Sequence, residues 1–217
     1  MELKEQVISK IEELGLNNQP LADIIKILSA KLKVTTYDIK NAINFLIEDG
    51  DLILGGKQKI VVTKFTSFVK GKFMSANGNY GFIRFNDGSE DVFVNNQNVN
   101  GARNGDTVLV KVLNNNPNRK EAQVISICKR GTTKVVGTLH INKNGVGFVV
   151  ADDNKIGDVF IPAKNLFNGE DGHKVVVEIT EYNSGKNLVG KVTEDLGKSG
   201  NKEVDMLSII RKYGLFT

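Results

Sequence analysis

The chain has 217 residues, more than one small domain needs, and is expected to divide into two or three. Its composition, 40% hydrophobic and 25% charged, is that of a water-soluble globular protein. No membrane span and no signal peptide are expected, because no apolar run approaches the roughly 20 residues that cross a bilayer and the start Met1-Glu2-Leu3-Lys4-Glu5 is charged; Cys128, the single cysteine, excludes an internal disulfide and a cysteine-based zinc cluster. A cytoplasmic monomer without a structural metal is expected. The net charge of +4 is unevenly spread: residues 1–62 carry −1, 63–133 carry +5, 134–199 carry −1 and 200–217 carry +1. A local positive field attracts phosphate whatever the global balance, so the central segment is the candidate for polyanion contact.

Residues 1–64 read as three helices and a hairpin. Leu3, Val7, Ile11 and Leu14 form one helical stripe, ended by Gly15. Pro20 opens a second helix, with Leu21, Ile24, Ile25 and Leu28 facing inward. Thr35-x-x-Asp38 is a capping start for a third helix, whose apolar positions are Ile39, Ala42, Ile43, Leu46 and Ile47. The runs Leu52–Leu54 and Ile60–Val62 flank Gly55-Gly56-Lys57-Gln58-Lys59, a hairpin with a basic tip. The pattern is that of a winged helix-turn-helix. Tyr37, Lys40, Asn41 and Asn44 would then form an exposed helix face toward nucleic acid, with Lys57 and Lys59 on the wing. The segment is net negative, so a protein-docking or structural role stands beside that reading.

From about residue 65 the pattern changes to short strands and glycine turns, and it repeats. Gly71 matches Gly137, Gly81-Phe82 matches Gly147-Phe148, and Asp91-Val92-Phe93-Val94 matches Asp158-Val159-Phe160-Ile161. Gly105-Asp106 matches Gly172-His173, and Val124 matches Val192, all at offsets of 66 to 68 residues. Each copy has about five short strands, enough for a partly open barrel of the OB type. The expected division is 1–64, 65–132, 133–199, and a short amphipathic helix within 200–217 that must dock on something. The expected class is therefore multidomain: an α+β winged helix followed by two all-β five-stranded barrels.

In the first copy, strand alternation puts Tyr80, Phe82 and Phe93 on one sheet face if the pairing is in register. Edged by Lys70, Lys72 and Arg84, they are either a platform for stacking unpaired bases or core side chains. The second copy keeps Phe148 and Phe160 but has Val146 in place of Tyr80, with Lys164 the nearby cation to test. Its near-neutral charge favours a structural or guiding role. The acidic pairs Asp152-Asp153, Glu170-Asp171 and Glu194-Asp195 read as solvated turn charges, because adjacent strand residues point to opposite faces.

Asn79-Tyr80-Gly81-Phe82-Ile83 and Val92-Phe93-Val94-Asn95 resemble the two RNA-binding motifs of the cold-shock domain. The resemblance implies base stacking on Tyr80, Phe82 and Phe93 and backbone contacts from Lys70, Lys72 and Arg84, with Asn95 a further candidate RNA contact. It departs from that pattern at about Ser75, where a tryptophan is usual, and at Asn95, where a histidine is usual. The order of domains, with the tail Asp205-Met206-Leu207-Ser208-Ile209-Ile210-Arg211-Lys212-Tyr213-Gly214-Leu215, resembles the N-terminal part of bacterial ribonuclease R, in the ribonuclease II/RNB exoribonuclease family. The resemblance implies a module that recruits single-stranded and structured RNA and opens duplexes for a processive 3′–5′ exoribonuclease. The magnesium-binding aspartate cluster and the S1 domain of that family have no counterpart in these residues, so binding without cleavage is expected of them. A standalone RNA chaperone or regulator and a protein-docking scaffold are the competing readings.

Overall fold

A computed structural model describes residues 2–76, 80–113, 119–182 and 187–213. The chain forms two compact units, Met1–Arg130 and Gly131–Thr217.

The first unit opens with α1 (Leu3–Glu13), β1 (Gln19–Pro20), α2 (Leu21–Leu32), α3 (Thr36–Glu48), β2 (Leu52–Gly55) and β3 (Lys59–Val62). The stripes read from the sequence bury Val7, Ile11, Ile24, Leu28, Ile39 and Ile43 in one core. That core is closed by Leu52, Ile60 and Val62 of the hairpin. Thr35 caps α3 by accepting a hydrogen bond from the Asp38 amide, 3.1 Å. The three strands are ordered β1-β3-β2, so the hairpin gains a short third strand from Gln19 and Pro20. Pro20 has no N–H and therefore sits on the sheet edge before α2 begins. This is a winged-helix arrangement.

The first barrel comprises β4 (Phe68–Ala76), β5 (Tyr80–Arg84), β6 (Val92–Val94), β7 (Thr107–Leu113) and β8 (Glu121–Lys129). The second comprises β9 (Lys134–Ile141), β10 (Gly147–Ala151), β11 (Val159–Ile161), β12 (His173–Glu181) and β13 (Leu188–Lys198). Their strand orders are β4-β5-β6-β8-β7 and β9-β10-β11-β13-β12, the same order in each copy. Both are closed, where the sequence suggested partly open barrels. In each, the third strand runs parallel to the fifth and every other pairing is antiparallel.

The repeated glycines have a packing cause. A Cβ on Gly81 would lie 2.5 Å from the Met74 carbonyl oxygen and 2.6 Å from Phe73 Cζ. A Cβ on its counterpart Gly147 would meet Leu166 Cδ2 at 2.7 Å. Gly71 and Gly137 are equally blocked, by Ile83 and by the Val150 carbonyl. These positions let strands approach closely at the barrel wall, and no side chain fits there.

The winged helix packs on its barrel through Ile53, Leu109 and Cys128, with Val61 and Phe68 against them. Lys70 Nζ also donates to the Asp49 carbonyl at the end of α3. The contact therefore uses the β4, β7 and β8 side of the barrel and leaves the outer faces of β5 and β6 free of it.

The last element, α4 (Lys202–Tyr213), docks on the second barrel. It does so through Val204 and Ser208, with Arg211 holding Glu194 by two bonds of 2.9 and 2.8 Å. Of the apolar positions of this helix, Val204 alone is buried. Met206, Leu207 and Tyr213 are exposed, as is Ile209, while Ile210 is half-buried. Gly214, expected to stop the helix, lies outside the described residues. Among the described residues no helix is long and apolar enough to cross a membrane.

Candidate nucleic-acid interface

The outer surface of the first barrel is set by alternation. On β5 and β6, Ile83, Val92 and Val94 point inward with Phe73 into the barrel core. Tyr80, Phe82 and Phe93 therefore point out. Phe82 pairs directly with Phe93, the register that the shared face required. The ring centroids lie 6.4 Å (Tyr80–Phe82), 5.7 Å (Tyr80–Phe93) and 5.8 Å (Phe82–Phe93) apart, with tilted to edge-on planes. Tyr80 is 37% exposed and the two phenylalanines are half-buried, so the trio is a surface layer over the core. Gly78 and Asn79, which precede it, lie outside the described residues.

The register also relocates the variable position on the first strand. Ser75 faces Gly81, and its amide donates to Asn104 Oδ1 at 3.1 Å. The residue opposite Phe82 on the outer face is Met74. The outer row across the sheet thus reads Met74, Phe82, Phe93, with a polarizable thioether where Ser75 was expected to leave a gap.

The polar rim differs from the sequence reading in three places. Lys70 is on the winged-helix side, opposite the buried Leu109, and its amine is occupied by the Asp49 carbonyl. It is a strut between α3 and the barrel. Arg84 stays beside the platform, opposite the exposed Lys72, but clamps Asp91 with bonds of 3.2 and 2.8 Å. That pairing raises the guanidinium pKa and lowers that of the Asp91 carboxyl, chiefly through the hydrogen bonds. Asn95 accepts from the Asn98 amide at 3.1 Å and donates to Glu121 at 3.3 Å, so it caps the turn after β6.

The cation that does meet the rings is Arg119, which the sequence reading passed over. Its guanidinium carbon lies 3.5 Å from the Phe93 centroid and 5.8 Å from that of Phe82. It stacks on the platform from a loop, far along the chain, and no spacing rule connects residues 93 and 119. The +5 charge of the segment was the one available signal. Arg119, Lys120, Phe82 and Phe93 line an open cleft of about 360 Å³, together with Glu90 and Asp91.

The second barrel repeats the geometry with fewer parts. Phe148 pairs with Phe160 across β10 and β11, centroids 5.4 Å apart, on the outer face. His140 on β9 lies opposite Phe148 and is exposed. It occupies the position that Met74 holds in the first barrel. Lys164 is exposed in the single 3-10 turn after β11.

The acidic pairs are not simply solvated. Glu194 and Asp195 follow a bulge in β13 and part company there. Glu194 holds Arg211 of α4, while Asp195 meets His173 Nδ1 at 3.0 Å and the Gly197 amide at 2.8 Å. Asp152 pairs with Lys174, and Asp171 accepts from the Ile141 amide at 2.7 Å. They are anchors of the second unit. Among the described residues no three histidine, cysteine or acidic side chains are placed to hold one metal ion.

On α3, Tyr37 (71% exposed), Lys40 and Asn44 are exposed and Asn41 is half-buried. Phe45, which the sequence reading did not single out, is 60% exposed and completes a stripe with Tyr37 and Asn41 at four-residue spacing. Lys57 is exposed at the hairpin tip and Lys59 is half-buried.

Two family models match: a cold shock domain over residues 148–217 and the ribonuclease B OB domain over residues 71–127. They fall on the two barrels that share one strand order. The chain is similar in sequence to ribonuclease R. It is 28% identical over 162 residues to ribonuclease R of Escherichia coli (strain K12), a match spanning 73% of this chain and 20% of that one. It is 27% identical over 220 residues to ribonuclease R of Acidithiobacillus ferrooxidans, spanning 98% of this chain and 49% of that one. The chain thus spans between a fifth and about half of these ribonuclease R relatives. In fold it is similar to Mycoplasma genitalium ribonuclease R, solved in complex with ribose methylated single-stranded RNA. The TM-score is 0.56 and the identity 23%, covering 65% of this chain and 23% of that one.

Proposed function

We propose that this chain is an RNA-binding, substrate-recruiting module of a ribonuclease R-type 3′–5′ exoribonuclease. The observation that carries it is the outward-facing trio Tyr80, Phe82 and Phe93 with the Arg119 guanidinium stacked on Phe93. A cation and three rings on one outward sheet face offer unpaired bases a surface to stack on, and the adjoining Lys72 and Lys120 suit phosphate. Support comes from the match of the two barrels to the ribonuclease B OB domain and a cold shock domain, and from the likeness in fold to a ribonuclease R solved with single-stranded RNA.

In this reading the module works as a passive opener. Binding unpaired bases pulls a duplex toward its open state, because a ligand favours the state it binds better. Phe148, Phe160, His140 and Lys164 guide the strand on the second barrel. The face with Tyr37, Lys40, Asn41, Asn44 and Phe45, and the wing lysines Lys57 and Lys59, make auxiliary contacts to structured RNA. In this reading hydrolysis falls to a magnesium-binding aspartate cluster elsewhere in the enzyme. The module acts in the cytoplasm as a monomer.

A protein-docking role is favoured by one observation, the exposed Met206, Ile209 and Tyr213 of α4. Salt dependence separates the two. RNA held through phosphate loses affinity steeply as salt rises, with a log–log slope of roughly −0.7 per phosphate contact for a single strand. Fluorescence anisotropy with oligo(U) between 50 and 300 mM salt reads that slope. A flat response, or no RNA binding, refutes the proposal and leaves docking.

A further inference from the structure

The cleft beside the platform has a feature that phosphate binding does not explain. It is lined by Phe82 and Phe93, by the cations Arg119 and Lys120, and by the carboxylates Glu90 and Asp91. A carboxylate repels a phosphate and accepts from an N–H. The Asp91 oxygens are both engaged by Arg84. The Glu90 carboxylate makes no hydrogen bond or ion pair among the described residues, and Glu90 is exposed at the cleft.

We propose that this cleft is a single-nucleotide subsite that reads guanine: the base stacks on the outer face of the Arg119 guanidinium, itself lying on Phe93, and presents its Watson–Crick edge to Glu90. The inference rests on the RNA-binding reading and adds a base preference to it. Guanidinium planes and aromatic rings both stack bases, and an unpaired RNA base has its Watson–Crick edge free. Guanine offers a carboxylate two parallel donors, N1–H and the N2 amino group. Each carboxylate oxygen takes one, as in other bidentate pairings. Uracil offers one N–H flanked by two carbonyl oxygens that the carboxylate repels. Adenine and cytosine offer one amino group beside a ring acceptor. The cleft, at about 360 Å³, has room for one base and its sugar. Selectivity follows from an acceptor-only carboxylate beside a stacking surface, while stacking alone tolerates every base.

The test uses the full 217-residue chain and fluorescein-labelled oligo(U), compared with the same strand carrying one central guanosine or, in its place, inosine. One good base-edge pair corresponds to about tenfold in affinity. The guanosine strand is expected to bind about tenfold tighter than oligo(U). Inosine, which lacks only the N2 amino group, should fall between them. Glu90→Gln should remove most of the guanosine gain, because the amide turns an N–H toward the guanine donors. Circular dichroism confirms that the variant folds. Equal binding of oligo(U) and the guanosine strand by the wild-type chain overturns the base reading, as does a guanosine gain that persists in Glu90→Gln. If oligo(U) still binds in a Phe93-dependent manner, the RNA-binding reading survives that result. Failure of every strand to bind overturns both.

Discussion

Replacing Phe93 by alanine removes the centre of the proposed platform. The ring is 5.7 Å from Tyr80, 5.8 Å from Phe82 and 3.5 Å from the Arg119 guanidinium carbon, so its loss takes a stacking face and frees the cation together. One base–aromatic stack contributes about 1–3 kcal/mol, so the dissociation constant for oligo(U) should rise by roughly 5- to 150-fold. The fold should survive, because the barrel core is built from Phe73, Ile83, Val92 and Val94 on the opposite face. The direct cross-strand pair with Phe82 is lost, at about 0.2–1 kcal/mol. Anisotropy titration at fixed moderate salt gives the affinity, and urea unfolding gives the stability on the same samples. A variant that is folded and binds within twofold of wild type refutes the platform. A variant that loses several kcal/mol of stability refutes the separation of surface layer from core.

Other expectations follow from single contacts. Gly81→Ala places a methyl 2.5 Å from the Met74 carbonyl and should cost about 1–3 kcal/mol in urea unfolding, as overpacking does, although the side chain added is the smallest available. Glu194 is held below its ordinary pKa, first by its hydrogen bonds from Arg211. A carboxyl depressed in the folded state stabilises above its unfolded pKa and loses that contribution as the pH falls through the folded value. The protection of the α4 amides, taken relative to their intrinsic exchange at each pH, should therefore fall as the pH drops below the ordinary glutamate range, and Glu194→Gln should show the lower protection already at neutral pH. Cys128 is buried between the winged helix and its barrel, and burial pushes its thiol pKa up against the smaller opposing effect of Lys70. It should react slowly with a disulfide reagent in the native protein and rapidly in urea; fast native labelling would show that the Ile53–Leu109–Cys128 contact opens.

Much of the fold was legible because its signals are local and periodic. The α1 and α3 stripes named the residues that are buried, and the offset of 66 to 68 residues exposed two copies that share one strand order. Period-two alternation placed Tyr80, Phe82 and Phe93 together, since pairing in register leaves no other arrangement. The rim was less legible. Lys70 and Lys72 are alike in sequence, two residues apart on one strand face, yet one is tied to Asp49 and the other is exposed beside Arg84. Which lysine is available depends on where the winged helix packs, a contact between segments with no periodic relation. Helix α4 was legible only in part for the same reason: Val204 docks as its apolar pattern suggests, but Met206 and Tyr213 stay exposed, and Ser208 and the Arg211–Glu194 pair complete the contact.

The sequence by itself determined the element types, the duplication and the aromatic trio, because spacing along one strand or helix fixes which side chains share a face. Tertiary structure alone decided what those faces meet. It turned the trio outward while Phe73 and Ile83 filled the barrel, and it made Gly81 a close-packing position. It put Met74 rather than Ser75 on the outer row and brought Arg119 onto Phe93 from a loop. Barrel closure sets those neighbours by bringing residues distant in sequence to within contact distance, and no local period encodes that.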